Sequence, residues 1–502
     1  MANNLSSVKS IVVLMLENRS FDNFVGWIYQ NNNNISPNGD VFDGLTSSMS
    51  NPAHDGSIVN VGSTTNHKNP IEDPGEPFNH VNVQLFGGNP PANTQCQGFL
   101  IDYTNVIQGT TLLDPTVIMD AFDPSIVSCT QAIAQQAAIC DQWFCSAPTQ
   151  TWPNRSFVHA ATSNGNIVNW PYNPDLWNVP TIFNVMSQRA GSTWRVYYDD
   201  FLVPLTWLQM RQLHPFGYWK NFRGIHEFYD DAQNGKLPQY AFIEPNFFPN
   251  PVVGPETDAH PPHNAFIGDQ FVGKIYNAII ASPQFQANEV LFIITFDEHG
   301  GCFDHVAPFG NATPPDNQTK LFDFKRFGVR VPTIVVSPYV VAGSVFNMRP
   351  PGPLPAPGST LPPWSTYTPY DHTSILRTIE LTFGYSPLTA RDAAAPDLGG
   401  ILTGPARNNY TPVPIATRPQ PMLDEIAADT SQESIATKPL NDLQVSYIGA
   451  LAHMVAPGIL GDIAADAVRL LATTDVAAEE LPRTVAKAID YIRSKKADLK
   501  LT

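Results

Sequence analysis

Val290-Leu291-Phe292-Ile293-Ile294-Thr295-Phe296 runs without a break into Asp297-Glu298-His299-Gly300-Gly301. A short, nearly continuous apolar run rich in Ile, with no polar alternation, predicts a strand covered on both faces, as in the middle of a parallel sheet. Ile11–Leu16 repeats the pattern and runs into Glu17-Asn18-Arg19-Ser20-Phe21-Asp22, and Val331–Ser337 is a third run of the same kind. All three are expected to be central and parallel. Trp194–Tyr198 and Tyr240–Ile243 add two further expected strands. Between the strands, Phe271, Ile275 and Ile279 share one helical face. Ile375, Leu376, Ile379 and Phe383 share another, stopped by Gly384. Strands alternating with helices predict an α/β fold.

Composition supports a folded chain. Of 502 residues, 43% are hydrophobic and only 15% charged, while 47 prolines predict long, stiffened loops. Asn31–Asn69 and Met348–Tyr370 are the longest expected loops. Near residue 420 proline thins and alanine rises, so we place a boundary there. Residues 1–420 form the expected catalytic domain, and 421–502 a helical C-terminal extension with helices over Leu443–Ala452 and Ile459–Leu471.

A formal net charge of −17 disfavours nucleic acid and anionic membranes as partners. No run approaches the ~20 apolar residues of a membrane span. Ile11–Leu16 is too short for a signal-peptide core, so the chain as written is expected to be cytoplasmic, or secreted through processing or another export route. The five cysteines, without paired metal-ligand spacing, are expected to be reduced packing residues.

In an open α/β sheet, ligands gather at the carboxyl ends of the strands, where both acidic clusters fall. Carboxylates with an amide oxygen suit a hard divalent cation, although such residues also cap helices. Thr149-Gln150-Thr151-Trp152-Pro153-Asn154-Arg155 predicts a helix running to Ala161 with Thr151 just before or capping it. A hydroxyl there is placed for an incoming phosphate, though a plain capping threonine has the same pattern. His80, His260, His263 and His372 lie in polar contexts suited to proton transfer or phosphate binding, or to ordinary surface hydrogen bonding. Trp143, Phe144, Trp152 and Trp170 are expected to be core rings, with a cation cage or apolar ligand contact as the alternative.

The strings VVLMLENRSFDNFVGW, AICDQWFCSAPTQTWPNRSFVHAATSNG, DAHPPHN, SPQFQANEVLFIITFDEHGGCFDHV, GVRVPTIVVSPYV and YDHTSILRTIELTFG occur in this order. Together they resemble the phosphoesterase family of bacterial phosphatidylcholine phospholipases C, plant non-specific phospholipases C and acid phosphatases, over roughly residues 8 to 400. The resemblance implies an alkaline-phosphatase-like sheet between helical layers, and Thr151, not Thr149, as nucleophile. It implies one divalent metal ion of unassigned identity, held by Glu17, Asn18, Thr151, Asp297 and Glu298. Asn18 would also be catalytic, and His260, with His80, would protonate the departing oxygen. Asn154, Arg155, His263, His305 and His372 would bind substrate. The family's DPGH string is Asp73-Pro74-Gly75-Glu76 here, leaving Glu76 where a histidine is often found. The implied activity is hydrolysis of a phospholipid or small phosphoester, foremost as a phospholipase C acting through a phosphothreonine. Acid phosphatase is the runner-up, and a silent phospho-ligand-binding protein the reading from another class.

Overall fold

A computed structural model describes residues 3–29, 40–87, 96–110, 114–169, 177–199, 203–249, 254–308, 310–316, 321–346, 368–417, 420–431 and 440–455. Its main sheet has eight strands: β1 (Ser10–Leu16), β2 (Ala138–Cys140), β3 (Trp194–Tyr198), β4 (Phe222–Gly224), β5 (Tyr240–Glu244), β6 (Val290–Phe296), β7 (Ile334–Val336) and β8 (Ser344–Phe346). Their spatial order is β8-β2-β7-β6-β1-β5-β3-β4. The block β6-β1-β5-β3-β4 is parallel throughout. Every residue of β1 and β6 is buried, as their unbroken apolar runs require. Their register pairs Leu16 with Phe296, so Glu17 and Asp297 emerge side by side at the carboxyl ends of two adjacent central strands.

The run Val331–Ser337 is central but not parallel. Its strand, Ile334–Val336, pairs antiparallel with both β6 and β2. Complete burial of these residues is compatible with either direction, so composition does not separate the two. The connection decides: among the described residues between β6 and β7 there is no helix, and a parallel pairing needs a crossover, usually helical. Strands β2, β4 and β8 are three residues each, too short to leave a periodic signal. Within Asn31–Asn69, the described residues include three short strands, at Ser50–Pro52, Ile58–Asn60 and Gly62–Thr64.

Three helices frame the site. Helix α1 (Thr151–Ala160) begins with Thr151 as its first helical residue after Gln150, so Thr151 does not cap it, and Ala161 ends it in the left-handed region. Helix α2 (Ala265–Ala281) buries Phe271, Ile275 and Ile279. Helix α3 (Thr373–Phe383) stops at Gly384, whose φ of 75° costs a residue without Cβ nothing. All five cysteines are buried free thiols.

Helix α4 (Gln420–Asp429) starts at the expected boundary, and α5 (Asp442–Val455) falls within the expected C-terminal extension. Helix α4 is tied to the preceding chain at its surface, through Lys68 to Glu425 and Asp429. Helix α5 buries Leu443, Tyr447 and Ile448 in one cluster with Trp152, Trp177, Leu208, Phe247 and Phe248. The expected helix over Ile459–Leu471, Trp170 and most of the Met348–Tyr370 loop lie outside the described residues. No described helix is long and apolar enough to cross a membrane.

Because α5 covers Trp152, a chain ending at residue 420 exposes that cluster to water. We expect its melting temperature to fall by several degrees, together with stronger binding of an apolar dye. An unchanged melting curve would show that α5 contributes nothing to the stability of residues 1–420.

Candidate active site

Three elements converge at the carboxyl ends of β1 and β6. Glu17 and Asn18 follow β1. Asn18 takes a φ of 54°, within reach of asparagine, and its N–H donates to Asp297 Oδ1 at 2.9 Å. Asp297 and Glu298 follow β6, and Asp297 Oδ1 also accepts the Glu298 N–H at 2.7 Å. The two glycines that come next are demanded by contact. A Cβ on Gly300 would lie 2.0 Å from the Asn18 carbonyl oxygen, and one on Gly301 would lie 2.7 Å from that of Gly75. Both occupy the left-handed region, with φ of 61° and 62°.

The third element is the start of α1. Thr151 Oγ1 lies 3.2 Å from Glu17 Oε2 and 3.2 Å from Asn18 Oδ1. Thr149 is engaged differently, its hydroxyl donating to the Ile167 carbonyl. Arg155, one turn into α1, donates Nε to Glu17 Oε1 at 2.7 Å and Nη2 to the same oxygen and to the Met15 carbonyl. Asn154 spends its amide on the preceding loop, bonding the Ala147, Thr149 and Gln150 carbonyls and the Ala147 N–H. The structure therefore engages both residues in holding the loop before Thr151 and Glu17.

Burial dominates the electrostatics. Desolvation raises the Glu17 pKa well above the carboxylate range despite Arg155 beside it, and raises that of Glu298 too, with the Glu76 charge adding to the rise. Asp297 Oδ2 and Glu298 Oε1 are buried without hydrogen-bond partners. Three buried carboxylates, an amide oxygen and a hydroxyl with unsatisfied oxygens fit a divalent cation, which would relieve both the repulsion and the lost hydrogen bonds.

The histidines divide by position. His372 Nε2 donates to the Asp297 carbonyl at 2.6 Å, while its Nδ1 accepts from Trp143 Nε1. Burial lowers its pKa, consistent with that neutral tautomer. His260 faces Glu76, with Nε2 3.3 Å from Oε1. His263 bonds Asp258 at 2.7 Å and lies near Asn441 of the extension. His80 is paired with Asp102 at 2.9 Å and stands behind the site, linked through Gln84 to the Gly75 carbonyl. His305 bonds Asp22 at 2.6 Å and Asp43 at 3.0 Å, in a network that Arg330 joins through Asp22 and Asp304. Trp143, Phe144 and Trp152 are fully buried packing rings, Trp143 stacking on Tyr370.

Some residues were not legible as site residues. Glu76 accepts the Asn18 amide at 2.5 Å, and its only sequence signal is the departure from DPGH. Asp442 of α5 accepts from Gln150, the residue before Thr151, and from Asn169 at 3.0 Å, a long-range contact with no local signal. Asp371 bonds Ser146 at 2.9 Å and Arg391, tying the YDH block to the loop before Thr151.

A hydroxyl at a helix start, facing buried carboxylates at the carboxyl edge of a parallel sheet, defines a phosphoric ester hydrolase. The chain belongs to the Phosphoesterase family, whose sequence model matches residues 8–386. It is 33% identical over 465 residues to non-specific phospholipase C3 of Arabidopsis thaliana, covering 89% of this chain and 82% of that one. To phospholipase C A of Mycobacterium tuberculosis it is 26% identical over 461 residues, covering 83% and 80%. A solved structure described as a protein in the alkaline phosphatase superfamily, from Vibrio parahaemolyticus, aligns over 53% of this chain and 64% of its own, at 11% identity and a TM-score of 0.31.

Burial alone would lower the His305 pKa, but Asp22 and Asp43 overcome it and raise it to about 10. A raised histidine stabilises the fold fully below its unfolded pKa of about 6.5, and that contribution is lost as pH climbs through the folded value. The urea midpoint should therefore fall between about pH 6.5 and about pH 10. In His305→Gln that slope should flatten, and an unchanged slope would remove His305 from this role.

Proposed function

We propose that the protein is a phospholipase C-type hydrolase that cleaves phosphatidylcholine-like diesters through a covalent phosphothreonine at Thr151. The observation that carries this is Thr151 Oγ1 at 3.2 Å from both Glu17 Oε2 and Asn18 Oδ1, deep at the carboxyl ends of the central strands. The curated relatives named as phospholipases C support the lipid diester as substrate. In attack, a bond forms between Thr151 Oγ1 and phosphorus while the bond to the glycerol oxygen breaks. The hydroxyl proton leaves toward Glu17 Oε2, the carboxylate oxygen already in contact with it. Glu17 then passes that proton to the departing glycerol oxygen, so that diacylglycerol leaves neutral while the phosphorylated headgroup stays esterified to Thr151. Water then hydrolyses the phosphothreonine, releasing the phosphorylated headgroup and restoring the hydroxyl.

Glu17, Asn18, Thr151, Asp297 and Glu298 would hold one divalent cation, which when bound supplies neutralising charge for the hydroxyl and the phosphoryl oxygens. Arg155 opposes the desolvation of Glu17 and aims its carboxylate, and His372 fixes the Asp297 backbone. Charge placed before reaction begins should supply most of the acceleration.

Turnover on phosphatidylcholine, beside an aryl phosphate monoester, separates the phospholipase from the monoesterase reading. We expect diester cleavage to dominate and to be lost with chelator. Thr151→Ala should lower the rate by about three orders of magnitude or more with an unchanged melting curve, and Thr149→Ala by far less. Near-normal turnover in Thr151→Ala would overturn the covalent route.

A further inference from the structure

Glu76, the residue at which this chain departs from the family string, is fully buried, and its Oε2 has no hydrogen-bond partner. His260 is fully buried as well. Its Nδ1 lies 2.6 Å from the Pro261 carbonyl oxygen, which only accepts, so the proton sits on Nδ1. The other ring nitrogen is left facing Glu76 Oε1 at 3.3 Å without a hydrogen bond. Asp73 brings a third donor: its Oδ1 is out of contact with solvent, makes no hydrogen bond and lies 3.7 Å from His260 Nδ1. One ligand atom from each of these three residues lies within 4.8 Å of the other two.

A lone pair facing a carboxylate needs something positive between them. A proton on His260 Nε2 satisfies one contact and leaves Glu76 Oε2 and Asp73 Oδ1 unsatisfied. A cation satisfies all three. An imidazole whose second nitrogen donates to a backbone carbonyl is also the usual arrangement of a metal-ligating histidine. The other three-residue group, Asp22, Asp304 and His305, differs because the Arg330 guanidinium already fills the cationic role, at 3.0 Å from each aspartate.

We propose that Asp73, Glu76 and His260 hold a second divalent cation, distinct from the one at Thr151. One imidazole with two carboxylates suits Zn²⁺ or Mn²⁺ better than Ca²⁺. Asn18 is the wall between the two sites, its Oδ1 toward Thr151 and its Nδ2 toward Glu76. The consequence for catalysis rests on the Thr151 reading: His260 is then a ligand, not the proton donor implied by the family resemblance. The binding site itself does not rest on that reading.

The test is metal stoichiometry on the full chain, stripped with chelator and titrated with Mn²⁺, read by elemental analysis and by the spin–spin broadening of paired Mn²⁺. We expect two ions per wild-type chain, and one in each of Glu76→Gln, Asp73→Asn and Glu17→Gln. Affinity for the second ion should fall at least ~10-fold in the first two variants. A single ion lost in Glu76→Gln but kept in Glu17→Gln supports this site and removes the one at Thr151. A single wild-type ion lost only in Glu17→Gln overturns the proposal and leaves the Thr151 centre standing, whatever the folding of the other variants.

Discussion

The pairing of Arg155 with Glu17 is the interaction on which the rest of the site depends. Glu17 emerges beside Asp297 because β1 and β6 are adjacent, parallel and in a register that pairs their last residues. Two carboxylates side by side in a dry interior would not stay ionised without a counter-charge. Arg155 supplies it from the same helix that presents Thr151, so one helix both neutralises the acid and positions the hydroxyl. Breaking such a buried pair costs about 3–5 kcal/mol, because the remaining charge is left uncompensated. The Thr151 hydroxyl and the acidic set are therefore brought together by a single packing arrangement.

Around that pair, side chains seen in sequence as chemical are largely spent on holding. Asn154 clamps the loop before Thr151, and His372 holds the Asp297 carbonyl. Asp371 ties the strand pair Tyr370–Asp371 and Trp143–Phe144 to Ser146. Such supports cost little in flexibility and keep the reacting groups in place before substrate arrives.

Much of this was legible from residues alone. The apolar runs of β1 and β6 located the central strands, and the acids following them located the candidate site, because burial on both faces and position after a strand can be read from sequence. The direction of Ile334–Val336 was not legible, since burial carries no information about chain direction and the connection does. The three-residue strands escaped for lack of length. Thr149 and Thr151 differ in sequence only by register within a motif, and by their partners only once folded. Asp442 was invisible, because its contact with Gln150 spans 292 positions of sequence and leaves no local pattern.

The central claim is that Thr151 becomes covalently phosphorylated. The most direct measurement is mass spectrometry of peptides from enzyme quenched in acid during turnover on phosphatidylcholine. We expect one added phosphocholine group, the phosphorylated headgroup left after the glycerol oxygen departs, on the peptide containing Thr151, located on that residue by fragmentation and absent from unreacted enzyme. Turnover at full rate with Thr151 unmodified throughout, or with the phosphocholine group on Thr149, would contradict it.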